Sequence, residues 1–279
     1  DTSGKKIKNY EFGFYSGFEK KVLNDKLKIN LTARLDKNEN FDYLFSPAAS
    51  LVYTLNNNHI FRLSFSSAIR NPTLTDQYLY YNVGRATLIG NITGYDSLVT
   101  VPSLINATKG WLRIDSLVYF NMKPVQPEKV KTIEIGYRAS LFNHLYLDAN
   151  YYFSIYRDFI GYAVGARVIA YHVPLSTDHI EVKSVYRVAS NARDIVSSQG
   201  FSVGLNYSIG KFYSLNGNYS WNELNLHGSD DPIIPAFNTP RNKFNLGFNG
   251  RDIDAYIGNK FHILHWGFSV NYKWIQGFI

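Results

Sequence analysis

The sequence predicts an all-β fold, in which antiparallel strands cross a membrane as part of a β-barrel. Three observations predict it: apolar and polar residues alternate with a period of two, short turns alternate with long connections, and no apolar run approaches the roughly 20 residues of a membrane helix. Of the 279 residues, 45% are hydrophobic, yet the mean hydropathy is only -0.21. Apolar residues are therefore interleaved with polar ones, as membrane-spanning strands require.

The alternation is clearest in four segments: LKINLTARL at 27–35, LYLDANYYFSIYRD at 145–158, FSVGLNYSI at 201–209 and WGFSVNYKW at 266–274. In each segment one face is aliphatic or aromatic, and the other is mostly Asn, Ser, Gly or charged. The same pattern along the whole chain predicts ten strands. They lie at about 8–22, 26–38, 44–55, 59–68, 130–142, 145–160, 199–209, 212–222, 243–251 and 264–274.

Connection lengths predict how these strands are oriented. Short turns rich in Asn, Asp and Gly occur at 23–25, 56–58, 143–144 and 210–211. Long outer loops are expected between them, at about 69–129, 161–198 and 223–242, with a small loop at 39–43. The connection at 252–263 is somewhat long for a turn. Short turns at one end and long loops at the other are typical of an outer-membrane barrel with periplasmic turns and extracellular loops.

Charged side chains lie on the faces opposite the apolar rows. In a barrel these faces line an aqueous lumen, while the apolar rows contact lipid and end in Tyr and Trp at the membrane interfaces. A large soluble β-sandwich or propeller, with the apolar rows in a shared core, is the alternative fold. The residues predicted to line the lumen are Arg34, Arg62, Glu134, Arg138, Asp148 and Arg251.

Several function classes find little support. The net charge is +7, but Lys and Arg are spread along the chain, so no nucleic-acid partner is expected. The absence of Cys excludes a disulfide scaffold and a thiolate metal site. His172, Asp178, His179 and Glu181 share one long loop, where a solvated surface is favoured over a metal site. With no nucleophile elbow and no phosphate-binding glycine loop, we expect no enzyme, no cofactor and no metal.

The loop at 69–129 contains the candidate ligand contacts. Tyr and Trp offer flat faces to sugars or aromatic ligands, and Arg offers bidentate contacts to carboxylates or chelated anions. The alternative is that these side chains pack the loop against itself and the barrel rim. The candidates are Tyr78, Tyr80, Tyr81, Arg85, Trp111 and Arg113.

Three segments carry a family resemblance. SFSSAIRNPTLTDQY at 64–78 resembles a strand that ends in an Arg-x-Pro-Thr element before a large outer loop. QPEKVKTIEIGYR at 126–138 resembles a Pro-Glu element followed by a strand with Glu-x-Gly-Tyr, and FNTPRNKFNLGF at 237–248 resembles the Pro-containing entry into a later strand. Together with WGFSVNYKW, their order along the chain is similar to that in TonB-dependent outer-membrane receptors.

The resemblance implies a barrel of about 22 strands with a plugged lumen, of which this chain would supply about ten. The plug and the last strands are expected to lie outside 1–279, because the turn order starts the chain on a descending strand and ends it on an ascending one. The implied function is energised uptake of an iron chelate, a vitamin, a glycan or a peptide across a Gram-negative outer membrane. The implied partners are membrane lipid, the TonB complex acting through the plug, the nutrient and, as a further candidate, a surface lipoprotein.

Two other functions stay open at this point. One is a passive outer-membrane channel or structural barrel, which a plug domain encoded upstream would argue against. The other is a soluble carbohydrate-binding β-protein. If rows such as Phe12, Phe14 and Phe18 face lipid, the protein should aggregate in water. Solubility without detergent therefore distinguishes a soluble β-protein from a membrane barrel.

Overall fold

Ten long strands form one antiparallel sheet in the computed structural model, which describes residues 6–56, 58–109, 113–174, 176–225, 234–235, 239–257 and 261–277. The strands are β1 (Glu11–Val22), β2 (Leu27–Asn38), β3 (Phe41–Asn56), β4 (His59–Arg70), β9 (Glu128–Leu141), β10 (Leu145–Arg157), β13 (Val196–Ile209), β14 (Tyr213–Asn225), β16 (Asn242–Ile257) and β17 (Phe261–Ile275), and they pair in that order. Successive strands of this wall sheet pair with each other. This holds also where a long connection separates them along the chain, as between β4 and β9.

The long connections form a second sheet, here called the outer sheet. Its strand order is β5-β6-β12-β11-β7-β8, and β15 pairs with β11. Two short helices, α1 (Leu74–Tyr78) and α2 (Val101–Thr108), lie in the same connections, and no helix of the described residues is long and apolar enough to span a membrane. The strands are β5 (Tyr80–Asn82), β6 (Thr87–Ile89), β7 (Tyr95–Thr100), β8 (Tyr119–Met122), β11 (Ile160–Tyr171), β12 (His179–Asn191) and β15 (Ile234–Pro235).

The short turns require backbone conformations that few residues adopt. Leu23, Asn24 and Asp25 have φ angles of 56°, 53° and 63°, and Gly210 has a φ of 61°. Asn, Asp and Gly tolerate this left-handed region better than other residues do. The turns at 23–26 and 210–212 lie at the same end of the wall sheet, because successive strands are antiparallel and the long connections leave from the other end.

The apolar face of the wall sheet is exposed rather than packed. Phe201 and Leu205 are 37% and 46% exposed, and Val270 is 64% exposed. Leu147 and Phe268 are half-buried, and the strands that carry them pair only within the wall sheet. A water-soluble sandwich would bury such rows, so their exposure argues against the alternative sandwich fold.

The fully buried apolar residues lie mainly in the outer sheet. Ile89, Leu98, Met122, Ala163 and Val188 form one cluster, which joins the connection between β4 and β9 to the β11–β12 hairpin. The predicted loops at 69–129 and 161–198 therefore contain regular, packed elements. Of the predicted loop at 223–242, most residues lie outside the described part of the chain.

The β16–β17 pair is longer than the sequence predicts. Its strands continue to Ile257 and start again at Phe261, with register shifts between Gly250 and Ile253 and between Ile253 and Ala255. These bulges break the alternation, which explains why the segment at 252–263 reads as a loop in the sequence.

Candidate functional site

The polar face of the wall sheet is continuous across its strands. The cross-strand register places polar-face residues opposite one another from one strand to the next, so that they form rows perpendicular to the strands. One such row consists of Arg62, Gly136, Asn150, Ser202, Ser220 and Lys243. The two-residue period thus assigns faces correctly over most of the wall.

Three of the predicted lumen residues form one ion cluster. The guanidinium of Arg62 donates to Asp148 Oδ1 at 2.5 Å, and Arg138 donates to Asp148 Oδ2 from Nε at 3.0 Å and from Nη2 at 2.8 Å. The side chain of Arg62 crosses Gly136, where a Cβ would lie 2.7 Å from Arg62 Nε. Asp148 therefore joins three neighbouring strands, and the glycine leaves room for the guanidinium.

Glu134 belongs to an adjacent hydrogen-bonded row. Asn150 Nδ2 donates to Glu134 Oε1 at 3.1 Å, and the hydroxyl of Ser202 donates to Asn150 Oδ1. In the next rows the hydroxyl of Tyr152 donates to Asn222 Oδ1 at 2.8 Å. Side chains on neighbouring and next-neighbouring strands thus satisfy one another across the polar face.

Arg34 and Arg251 lie apart from this cluster. Arg34 is on the polar face of β2, and its guanidinium binds Asp36 on the same strand at 2.8 Å. Arg251 is exposed next to the β16 bulge, beyond the last residue that pairs with β14, and its backbone N–H donates to the Phe212 carbonyl at 2.9 Å. The register thus places Arg34 within the paired part of the polar face, whereas Arg251 lies past the end of the β14–β16 pairing, and both stay predictions as lumen residues.

Three of the candidate ligand contacts lie together on one hairpin of the outer sheet. Tyr80 and Tyr81 are on β5, 67% and 61% exposed, and Arg85 is exposed in the turn that leads to β6. The turn is closed by a hydrogen bond from the Val83 N–H to the Ala86 carbonyl at 2.9 Å. The hairpin thus presents two rings and one guanidinium to solvent.

The other candidates have different surroundings. Tyr78 is half-buried, and its hydroxyl accepts from Asn40 Nδ2 at 2.9 Å, so it ties α1 to the β2–β3 connection. Arg113 is exposed near the end of α2, where its N–H donates to the Ala107 carbonyl at 3.2 Å. Trp111 lies outside the described residues.

Asp178 holds the tip of the β11–β12 hairpin against the segment after α2. Its Oδ2 accepts from the Ile114 N–H at 2.9 Å, and its Oδ1 lies 2.9 Å from His172 Nδ1. The bond from Ile114, assisted by His172, lowers the pKa of the Asp178 carboxyl. No group of metal-ligating side chains occurs in the described part of the chain.

Sequence reasoning missed one cavity of about 460 Å³, at the point where the outer sheet leaves the wall. Asn191 organises its rim: Nδ2 donates to the carbonyls of Gln126 and Asp158 at 2.9 and 2.6 Å, and Oδ1 accepts from the Gln126 N–H at 2.7 Å. Asp158 has a φ of 55°, which Asp tolerates better than most residues. No sequence pattern brings these distant residues together.

The comparisons with known proteins identify the family of this wall. The family model described as TonB dependent receptor-like, beta-barrel matches residues 1–278.

The chain belongs to this TonB-dependent receptor family.

Solved structures of TonB-dependent receptors share the fold at low sequence identity. The siderophore receptor PirA from Acinetobacter baumannii is 15% identical with a TM-score of 0.56, covering 87% of this chain and 31% of its own. PirA from Pseudomonas aeruginosa is 12% identical with a TM-score of 0.54, covering 87% and 37%. The copper transporter OprC is 13% identical with a TM-score of 0.55, covering 87% and 32%.

The chain spans about a third of the length of these solved structures. No curated protein sequence matches it. The family is one of outer-membrane receptors and transporters of Gram-negative bacteria, and the ten-stranded wall with its outer sheet is part of the receptor barrel.

Proposed function

We propose that this chain forms part of the barrel of an outer-membrane importer, which binds a scarce nutrient on its outer face and releases it inward after energised gating. The observation that carries the proposal is the polarity of the wall sheet. Its apolar face is exposed, and its opposite face carries charged and amide side chains hydrogen-bonded from strand to strand. A membrane transporter needs such an arrangement, with lipid on one side and water on the other.

The nutrient class is an iron chelate, a vitamin, a glycan or a peptide, and the energy comes from the TonB complex acting through a plug. The structural relatives include a siderophore receptor and a copper transporter. We propose that the outer sheet supplies ligand contacts through Tyr80, Tyr81 and Arg85, because these side chains are exposed and close in sequence on one short hairpin.

Uptake in paired bacterial strains tests this function. The protein expressed from its full gene is placed in the outer membrane of a host with an intact TonB complex and of an isogenic host without it. We expect uptake of at least one nutrient from a panel of chelates, cobalamin, oligosaccharides and peptides only in the intact host. Equal uptake in both hosts would instead identify a passive channel.

A hairpin variant tests the ligand contacts. Replacing Tyr80 and Tyr81 by Ala is expected to weaken ligand binding about tenfold or more, since each lost aromatic contact costs about 1 kcal/mol or more. Tyr119, on β8 and 52% exposed, provides the matched control. Isothermal titration with the purified receptor measures both variants. Equal affinity of the Tyr80/Tyr81 variant and the wild type would remove the hairpin from the site.

A further inference from the structure

Three cations interrupt the apolar face of the wall at its outer end, the end from which the long connections leave. On β9, Ile133 and Ile135 lie on the apolar face and are 52% and 58% exposed. The two-residue period places Lys131 and Lys129 on the same face, towards the start of the strand. Arg157, the last residue of β10, is opposite Lys129 in the register. We call Lys129, Lys131 and Arg157 the basic cluster.

The three side chains of the basic cluster are exposed and close together. Residues directly opposite each other on antiparallel strands have Cβ atoms about 5 Å apart, and residues two positions apart on one strand are about 7 Å apart. Like charges at such distances repel each other, and the repulsion grows where the surroundings are apolar. The strand pairing therefore gains nothing from this arrangement.

No protein group neutralises the basic cluster. Among the described residues, none forms a side-chain hydrogen bond or an ion pair with any of the three cations. Their other neighbours in register on this face are Ile69 and Ser67 on β4 and Ile155 on β10, and none of these is acidic. The cluster therefore keeps its positive charge available to an anion.

Other cations at this end of the wall have protein partners. Lys37, on the apolar face of β2 opposite Phe12, donates from Nζ to the Phe41 carbonyl at 2.5 Å. Arg241, which precedes β16, donates from Nη2 to Glu223 Oε1 at 2.9 Å. The basic cluster differs from both because its charges are grouped and have no partner.

The height of the basic cluster corresponds to the outer boundary of the membrane. The short turn after β9 begins at Phe142, which has a φ of 55°. With a rise of about 3.3 Å per residue and a strand tilt of about 40°, Lys131 lies about 28 Å above this turn along the membrane normal. The apolar band of an outer-membrane barrel is about 25 Å tall. The cluster is therefore at the level of the lipid headgroups.

An exposed apolar row lies directly below the basic cluster. The register aligns Phe65, Ile133 and Phe153 across β4, β9 and β10, and they are 37%, 52% and 36% exposed. This row is two residues from Lys131 along β9. Cations above an apolar row match a molecule with an anionic head and hydrocarbon chains.

We propose that the basic cluster binds the phosphate headgroup of a lipid in the outer leaflet, whose acyl chains lie along Phe65, Ile133 and Phe153. Arg binds phosphate through two parallel N–H groups, and Lys binds it as a point charge. A phosphomonoester carries about 1.5 to 2 negative charges at pH 7, so it neutralises most of the cluster. A free phosphate ion would leave the apolar row without a partner.

This inference goes beyond the proposed import function and rests only on the lipid-facing wall that the function includes. It depends neither on the cargo nor on the TonB complex. The competing interpretation is that the cations only reach into the headgroup layer and select no particular lipid.

The test uses Lys129→Gln/Lys131→Gln in the protein expressed from its full gene and purified in neutral detergent. Lys20→Gln/Lys26→Gln is the charge-matched control, since these two lysines are exposed at the turn end of the wall. The probes are lipid A with both phosphates, the same lipid A after phosphatase treatment, and inorganic phosphate. Native mass spectrometry at increasing probe concentration gives the affinity for each.

We expect the wild type to bind bisphosphorylated lipid A, with affinity about tenfold or more lower in Lys129→Gln/Lys131→Gln, because two charge-assisted contacts are lost. Lys129→Arg/Lys131→Arg and the control should stay within about threefold of the wild type. Arg157→Gln should reproduce a loss if the double Gln variant fails to assemble. Heat-modifiable migration on gels confirms assembly of every variant.

Other outcomes would overturn the inference. They are the absence of lipid A binding by the wild type, equal affinity of the double Gln variant and the wild type, and equal affinity for phosphatase-treated lipid A. Inorganic phosphate that binds as tightly as lipid A would identify a free-anion site instead. None of these results changes TonB-dependent uptake, and uptake that does not differ between TonB-intact and TonB-deficient hosts contradicts the importer function while leaving the lipid site standing.

Discussion

At the scale of single residues, one carboxylate neutralises two guanidinium groups on neighbouring strands. Asp148 lies between Arg62 and Arg138, and its side chain is 29% exposed. The sequence predicts all three on the polar face from the two-residue period. It does not predict that they meet, because contact between Arg62 and Asp148 depends on β4 and β10 both flanking β9, across an intervening connection of nearly 60 residues.

Asp148→Asn is expected to lower the stability of the barrel by about 1 kcal/mol, because the remaining guanidinium groups are then close and unneutralised. Glu19→Gln is the matched control, since it removes an exposed pair with Lys28 at 2.8 Å near the turn end of β1. Urea unfolding in detergent micelles, followed by tryptophan fluorescence, measures both changes. A loss in Glu19→Gln as large as in Asp148→Asn would contradict a special role for the cluster.

At the scale of elements, the outer sheet depends on its own small core. Leu98 on β7 is 2% exposed and packs with residues of β6, β8, β11 and β12. The sequence predicts a loop where β11 lies, because the small residues of this strand obscure the alternation. Gly165 is one of them: a Cβ there would lie 2.9 Å from the ring of Phe120, so close packing requires glycine.

Leu98→Ala is expected to destabilise the outer sheet by about 2 to 5 kcal/mol, the usual cost of a core cavity, and to leave the wall intact. Leu205→Ala, on the exposed apolar face, provides the comparison. Limited trypsin digestion of the intact receptor measures the outer sheet, and heat-modifiable gel migration measures the wall. Faster unfolding of the wall in Leu98→Ala would show that the two sheets are not separable units.

The hairpin tip at Asp178 is expected to loosen in acid. Folding lowers the pKa of the Asp178 carboxyl. The stabilising contribution of this carboxylate is therefore complete above its unfolded-state pKa and is lost as the pH falls through its folded-state pKa. Hydrogen exchange of the Ile114 amide, measured from about pH 6 to below about pH 4, should show protection that falls at the acidic end. In Asp178→Asn, whose amide oxygen still accepts, protection is expected to be lower and independent of this titration. An identical pH profile in that variant would exclude Asp178 as the titrating group.

At the scale of the whole molecule, the wall inverts the usual arrangement of a soluble protein. The sequence predicts all ten wall strands, because a period of two needs only neighbouring residues. It misses the outer sheet, whose parallel pairing of Tyr186 with Thr87 joins residues nearly 100 positions apart. The polar row around Gly247 is missed for the same reason, since only the register places Asn216 and Asn271 opposite Gly247.

A pair of neighbouring substitutions tests the two faces. Leu205→Arg places a charge on the apolar face and is expected to cost about 2 to 4 kcal/mol of folding free energy in a bilayer, while Asn206→Arg places it on the aqueous side at little cost. Folding into lipid vesicles, followed by heat-modifiable migration, measures both. Equal folding yields for the two variants would mean that the faces are assigned wrongly.

The β11–β12 hairpin connects the other segments of the outer sheet to one another. β11 pairs with β7 and β15, and β12 pairs with β6, so segments from two other connections are joined to one ribbon. Displacement of this ribbon therefore carries the neighbouring segments with it as a concerted unit. A single covalent cross-link between this ribbon and the wall sheet would consequently restrain the whole outer sheet.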